Sequence, residues 1–171
     1  MKKSTEKPIY FDNSATTKMS ERAKNKMTRA IDLSWGNPSS LHSAGLDAEK
    51  LISEARGIIL SSLGIMRPQR WELIFTSSGT ESNNLAILGT VRAKARKGNE
   101  KIMITSSEHS SVEECVAYLE KEGFTVTYLD VYENGIVKLD DVEKAITDET
   151  CLVTIMYANN EIGTIQPIAE I

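Results

Sequence analysis

The chain has 171 residues, 40% of them hydrophobic and 26% charged, with a formal net charge of −4. That is ordinary globular composition, long enough for a real core but short for two full domains, and it argues against disorder. The acidic balance disfavours nucleic acid and acidic membrane surfaces as partners, and no apolar run approaches the roughly 18 residues needed to span a bilayer.

The start, Met1 to Glu6, carries two lysines with no apolar stretch behind them, so it does not read as a secretory signal, and the cytoplasm is the expected compartment. Tyr10-Phe11-Asp12-Asn13 is long enough only for an edge strand or an extended arm. Ser20 has the chemistry of an N-cap, with Ala23, Met27, Ala30 and Ile31 following at helical spacing. Gly36-Asn37-Pro38-Ser39-Ser40 reads as a loop. A second helix carries Ala48, Leu51, Ile52, Ala55, Ile59 and Leu63 to a stop at Gly64.

From Trp71 onward short apolar runs alternate with helical patterns. Trp71–Thr76 reads as a strand, followed by a helix through Leu85, Leu88, Val91 and Ala95 to Gly98. Lys101–Thr105 is a second strand, and Val112, Val116 and Leu119 lie on a helix ending at Gly123. Phe124–Leu129 is a third strand, Asn134-Gly135 a turn, Leu139 to Ile146 a short helix, and Leu152–Tyr157 a fourth strand. Continuous apolar strands alternating with helices predict a mostly parallel sheet covered by helices. Ile168 to Ile171 opens a helical pattern after Pro167, and the stop there reads as a cut through an architectural unit. The expected organisation is an N-terminal arm with helices over residues 1–64 and the first part of a larger α/β domain over 65–171.

Ligands in such sheets bind beyond the carboxyl ends of the strands. Three post-strand segments hold candidate chemistry. Thr76-Ser77-Ser78-Gly79-Thr80-Glu81-Ser82 offers small residues, hydroxyls and a helix N-terminus, a setting for phosphate or for an ordinary capped turn. It lacks the lysine of a P-loop and the spacing of a dinucleotide fingerprint. In Ser106–Ser111, His109 can stack on an aromatic ligand or move protons, or can simply sit at a helix N-terminus in local hydrogen bonds. Asn159 and Asn160 can donate to an oxyanion or close an Asx-turn. His42 reads as a surface residue. Cys115 and Cys151 read as small core hydrophobes, without metal-ligand spacing or a basic neighbour.

Five ordered stretches weight these alternatives: Y-F-D-N-S-A-T-T (Tyr10 to Thr17), G-N-P-S-S-L-H (Gly36 to His42), F-T-S-S-G-T-E-S-N-N (Phe75 to Asn84), E-H-S-S-V (Glu108 to Val112) and A-N-N-E-I-G-T-I-Q-P-I (Ala158 to Ile168). In order and spacing they resemble the cysteine desulfurases, pyridoxal-phosphate enzymes of the class-V aminotransferase type. The resemblance runs from about Pro8 to the last residue. It implies a fold type I transferase, here an arm plus a partial large domain. It also implies pyridoxal 5'-phosphate as cofactor, L-cysteine as substrate, a homodimer, and a sulfur-acceptor or scaffold partner for iron–sulfur cluster or thio-cofactor assembly. By position, Gly79 and Thr80 would hold the cofactor phosphate, His109 would stack on the pyridine ring as the catalytic histidine, and Asn160 would bond the phenolic oxygen. Asn13 to Thr17 would border the substrate carboxylate.

Two departures stand out: Ser77-Ser78-Gly79-Thr80 replaces the family's common S-G-A-T, and Lys18 stands where proline is frequent. A glycine-only conformation at the substituted serine would cost roughly 1 kcal/mol. The resemblance puts the pyridinium-pairing aspartate, Schiff-base lysine, substrate-binding arginine and nucleophilic cysteine downstream of these residues, so the 171-residue chain alone is expected to be inactive. A selenocysteine lyase or another class-V aminotransferase stays open, as does a truncated, non-catalytic binding protein.

Overall fold

The computed structural model describes residues 9–65, 70–94 and 101–171. Residues 1–8, and Ala95 and Gly98 at the expected end of the third helix, lie outside them. The chain divides into two compact units, Met1–Phe75 and Thr76–Ile171.

The first unit holds α1 (Glu21–Leu33) and α2 (Ser43–Ser62). The Ala23 N–H donates to Ser20 Oγ at 3.2 Å, so Ser20 is the expected N-cap. α2 closes in a Schellman motif: Gly64 N–H donates to Ser61 O and Ile65 N–H to Leu60 O, with Gly64 at φ +73°. The G-N-P-S-S loop is tight. A side chain on Gly36 would strike the Ala44 carbonyl, and one on Gly45 the Ser40 carbonyl.

The expected strand at Trp71–Thr76 forms no ladder among the described residues. Trp71, Ile74 and Phe75 are more than half exposed, and the Leu73 carbonyl takes a hydrogen bond from the Arg56 guanidinium. A strand exists by pairing, and apolar propensity without a neighbouring ladder leaves only extended chain.

The second unit is an α/β layer built on α3 (Gly79–Lys94), β1 (Lys101–Thr105), α4 (Ser110–Lys121), β2 (Thr125–Leu129), α5 (Leu139–Ala145) and β3 (Thr150–Thr154). The sheet is parallel throughout, in the order β2-β1-β3, with Ile104 opposite Tyr128 on one side and Thr154 on the other. Alternation along central β1 sends Ile102 and Ile104 against Ile87 and Val91 of α3 and Val112, Cys115, Val116 and Leu119 of α4. Met103 faces the other way, against Leu129, Val137 and Val142. The inward residues of α3 are therefore Ile87 and Val91, while Leu85, expected on that face, is half exposed.

Cys115 is buried, and desolvation pushes its thiol upward, as suits a core residue. α4 ends in a second Schellman motif at Gly123 (φ +100°). The Asn134-Gly135 turn has Gly135 at φ +79°, a conformation that suits glycine.

β3 is shorter than the apolar run Leu152–Tyr157. Its ladder stops at Thr154 because β1 stops at Thr105. After Pro167 the chain makes a single turn, Glu170 N–H to Pro167 O, rather than helix. Buried Gln166 ties this return segment down: its Oε1 accepts from Val137 N–H at 2.9 Å and its Nε2 donates to Gly135 O at 2.7 Å. Among the described residues no helix is long and apolar enough to cross a membrane.

Candidate functional site

Two helix N-termini gather at the carboxyl end of the sheet. α4 follows β1 through Ser106–His109, and α3 packs along α4 with Asn83 reaching Ser111. Thr80, Asn84, Ser110 and Ser111 share one open groove of about 730 Å3 between the two helices.

The start of α3 is capped on one side and bare on the other. Glu81 N–H donates to Ser78 Oγ at 3.2 Å, while the Glu81 carboxylate accepts from both Ser77 N–H (2.7 Å) and Ser77 Oγ (2.6 Å), a variant of the capping box. Those two bonds hold the Glu81 carboxyl below the usual carboxylate range. The N–H groups of Gly79 and Thr80 and the Thr80 hydroxyl donate to nothing among the described residues. Nothing stands within 4 Å of where a Gly79 Cβ would be. A phosphate fits here: free first-turn N–H groups, the positive end of the helix dipole and a hydroxyl, with the backbone approachable at glycine. Neither Ser77 nor Ser78 has positive φ, so no strain arises from the missing family glycine.

His109 is the N-cap of α4. Ser111 N–H donates to its Nδ1 at 3.1 Å, and Ser111 Oγ lies 2.8 Å from the same nitrogen. The local capping role is thus present, in a residue that is exposed as a whole. His42 plays the same capping part on α2, taking a bond from Gly45 N–H at 3.3 Å.

Asn159, not Asn160, closes the turn after β3, accepting from Glu161 and Ile162 N–H. Its Nδ2 donates to Ser107 O at 3.3 Å, which ties this turn to the segment carrying His109. Asn160 is exposed and donates one N–H to Glu161 Oε1, so a second N–H is left for a ligand. No hydrogen bond among the described residues joins the Gly79-Thr80 turn, His109 and Asn160 directly. They are linked through Asn83, Ser111, Ser107 and Asn159. Lys101 opens β1 at the opposite end of the sheet and donates to Ala145 O.

Glu108 is a residue that sequence reasoning passed over, although it lies inside the E-H-S-S-V stretch. Its Oε1 accepts from Thr105 Oγ1 at 2.7 Å and from Met156 N–H at 2.6 Å, replacing the ladder bond that β1 no longer offers. Burial is the main influence on this carboxyl and pushes it upward, opposed by those two bonds and assisted by Glu113. A carboxyl raised in the folded state binds its proton more tightly there than in the unfolded chain. Its stabilisation is then complete below the ordinary carboxylate value and is lost as pH rises through the raised one. Glu108→Gln keeps an acceptor oxygen and removes the titration. Denaturant unfolding at pH 4 and pH 7 is expected to show the variant gaining on the parent at the higher pH. An equal difference at both pH values would refute this.

The family model of the class-V aminotransferases matches residues 9–171. A Bacillus subtilis (strain 168) protein described as a putative cysteine desulfurase is 47% identical over 163 residues, 95% of this chain and 42% of the relative. A cysteine desulfurase of Clostridium botulinum (strain Hall) is 44% identical over 165 residues, 96% of this chain and 41% of its own. Among solved structures, a NifS-like protein superposes with a TM-score of 0.88 at 41% identity, over 95% of this chain and 43% of that one. A second, SspA in complex with cysteine, gives 0.85 at 36% identity, over 94% and 45%. The chain spans about two fifths of the length of these relatives.

Proposed function

The chain belongs to the class-V aminotransferase family, and on that premise we propose that it is part of a pyridoxal-phosphate-dependent cysteine desulfurase. The observation that carries the cofactor is the bare start of α3: Gly79 and Thr80 present donors without a partner among the described residues, where a side chain at residue 79 would meet only open space. What supports the substrate is the similarity to proteins described as cysteine desulfurases.

In this reading the Gly79 and Thr80 N–H groups and the Thr80 hydroxyl hold the phosphate. His109 presents its ring to the pyridine, and Asn160 donates its second N–H to the phenolic oxygen. When bound, the cofactor supplies an electron sink for chemistry at an amino acid's α-carbon. Glu108 holds the His109 segment and the post-β3 turn at a fixed separation, so that histidine and amide are oriented before a ligand arrives. The sulfur of L-cysteine passes to an enzyme persulfide and alanine is released. A homodimer, a protein sulfur acceptor and a cytoplasmic setting complete the proposal.

The test is a chimera in which residues 9–171 replace the matching segment of the Bacillus subtilis relative. With cysteine and a reductant it is expected to release alanine and sulfide in equal amounts, whereas the 171-residue chain alone releases neither. A chimera that binds the cofactor yet forms no alanine would overturn the proposal. So would turnover by the chain alone above a free-cofactor control, for the part that assigns catalysis to residues beyond these.

A further inference from the structure

We propose that Asn83 and Ser111 form a relay that fixes the tautomer of the neutral His109 ring, keeping its proton on Nε2 and its Nδ1 as an acceptor. The directions of the bonds follow from the donors. A backbone N–H only donates, so Ser111 N–H at 3.1 Å makes Nδ1 an acceptor. Ser111 Oγ, 2.8 Å from that nitrogen, must then give it its single hydroxyl proton. With that proton committed, Oγ has only lone pairs for Asn83, whose Nδ2 donates to it at 2.8 Å. Each polar atom thus has one allowed direction, and the chain Asn83 to Ser111 to His109 runs one way from α3 into the imidazole.

Burial makes the relay effective. Ser111 is only 8% exposed, so water does not compete freely for its hydroxyl. The imidazole carries its proton on Nε2, and two donors occupy its other nitrogen. A histidine so held presents a fixed N–H donor and a fixed ring plane. Ser111 and Asn83 are positioning residues: neither needs to touch a ligand for its loss to change what His109 offers.

This rests on the reading that His109 faces the cofactor ring, but the two parts separate experimentally. The chain has only two histidines, so 15N labelling of histidine yields two imidazoles, and His42, whose Nδ1 accepts a single N–H, is the internal reference. Magic-angle-spinning NMR of the sedimented 171-residue chain is expected to show His109 with a protonated Nε2. Its Nδ1 resonance should be displaced from that of His42 by the extra hydrogen bond. Ser111→Ala is expected to move the His109 Nδ1 signal toward that of His42. Asn83→Asp, which keeps the shape but replaces the donor with an acceptor, should do the same by drawing the hydroxyl away. Ser111→Thr should restore the parent signal. Because the variants lie in the second unit and His42 in the first, retention of the parent's far-UV circular dichroism and cooperative urea unfolding is the control that each variant is folded. A proton on Nδ1 in the parent, or no displacement in both Ser111→Ala and Asn83→Asp, overturns the relay.

The same variants in the chimera then test the reading beneath it. Altered cofactor absorbance with lower kcat and little change in KM supports both. Displaced NMR signals with unaltered absorbance support the relay and overturn the placement of His109 against the ring.

Discussion

Thr80→Val in the chimera is expected to weaken pyridoxal phosphate binding roughly tenfold to a hundredfold, equivalent to about 1.5–3 kcal/mol, since it deletes a hydroxyl donor to a charged group while keeping the side-chain shape. The Thr80 hydroxyl has no partner among the described residues, and Thr80 lines the α3–α4 groove, so the substitution costs the fold nothing in lost bonds. Gly79→Ala should act in the same direction by another cause. Its φ is not in the left-handed region and its methyl meets no atom within 4 Å, so the helix tolerates it while the approach to the backbone is filled. His109→Ala should weaken binding less and change the cofactor's absorbance more, because it alters what the ring faces. The measurement is a spectroscopic titration with inorganic phosphate as competitor. A Thr80→Val chimera that binds as tightly as the parent would remove the phosphate from this turn.

The second large effect concerns stability. Leu119 is fully buried on α4, in the cluster formed with Val91, Ile102, Ile104 and Val116. Leu119→Ala is expected to cost about 2–5 kcal/mol, the lost transfer energy plus the cavity left between helix and sheet. Against the roughly 5–15 kcal/mol typical of a folded domain, that is enough to lower the urea midpoint sharply or to abolish cooperative unfolding. Leu85→Ala on the neighbouring helix, at a half-exposed position, should cost far less. Equal losses for the two variants would mean that the face α3 buries has been misassigned.

The contrast between Leu119 and Leu85 shows where the sequence was legible. α4 has a clean apolar stripe, Val112, Cys115, Val116 and Leu119, and its buried face is read directly from the spacing. α3 is apolar on several sides, so periodicity placed Leu85 on the buried face, whereas packing against β1 and α4 buries Ile87 and leaves Leu85 half exposed. The turn proposed for phosphate was legible as a candidate for a local reason: small residues, hydroxyls and a helix start are adjacent in the chain. Glu108 was not, because its meaning depends on Met156, 48 residues away.

The sequence by itself determined the features whose partners lie within a few residues. Ser20 caps α1, Gly64 and Gly123 close their helices in Schellman motifs, Gly135 makes its turn, and His109 caps α4, all through bonds spanning five residues or fewer. It also determined the parallel α/β class, since continuous apolar strands demand cover on both faces. Tertiary structure alone decided what depends on a distant partner. Trp71–Thr76 forms no strand because no ladder meets it among the described residues, and β3 ends at Thr154 because β1 ends at Thr105. Glu108 becomes a clasp only when Met156 arrives, Gln166 an anchor only when Gly135 and Val137 do, and Ser111 a relay only when α3 sets Asn83 beside it. A cap is satisfied by the chain's own geometry. A ladder, a clasp or a relay requires a second segment to arrive in register, and residue spacing carries no record of that meeting.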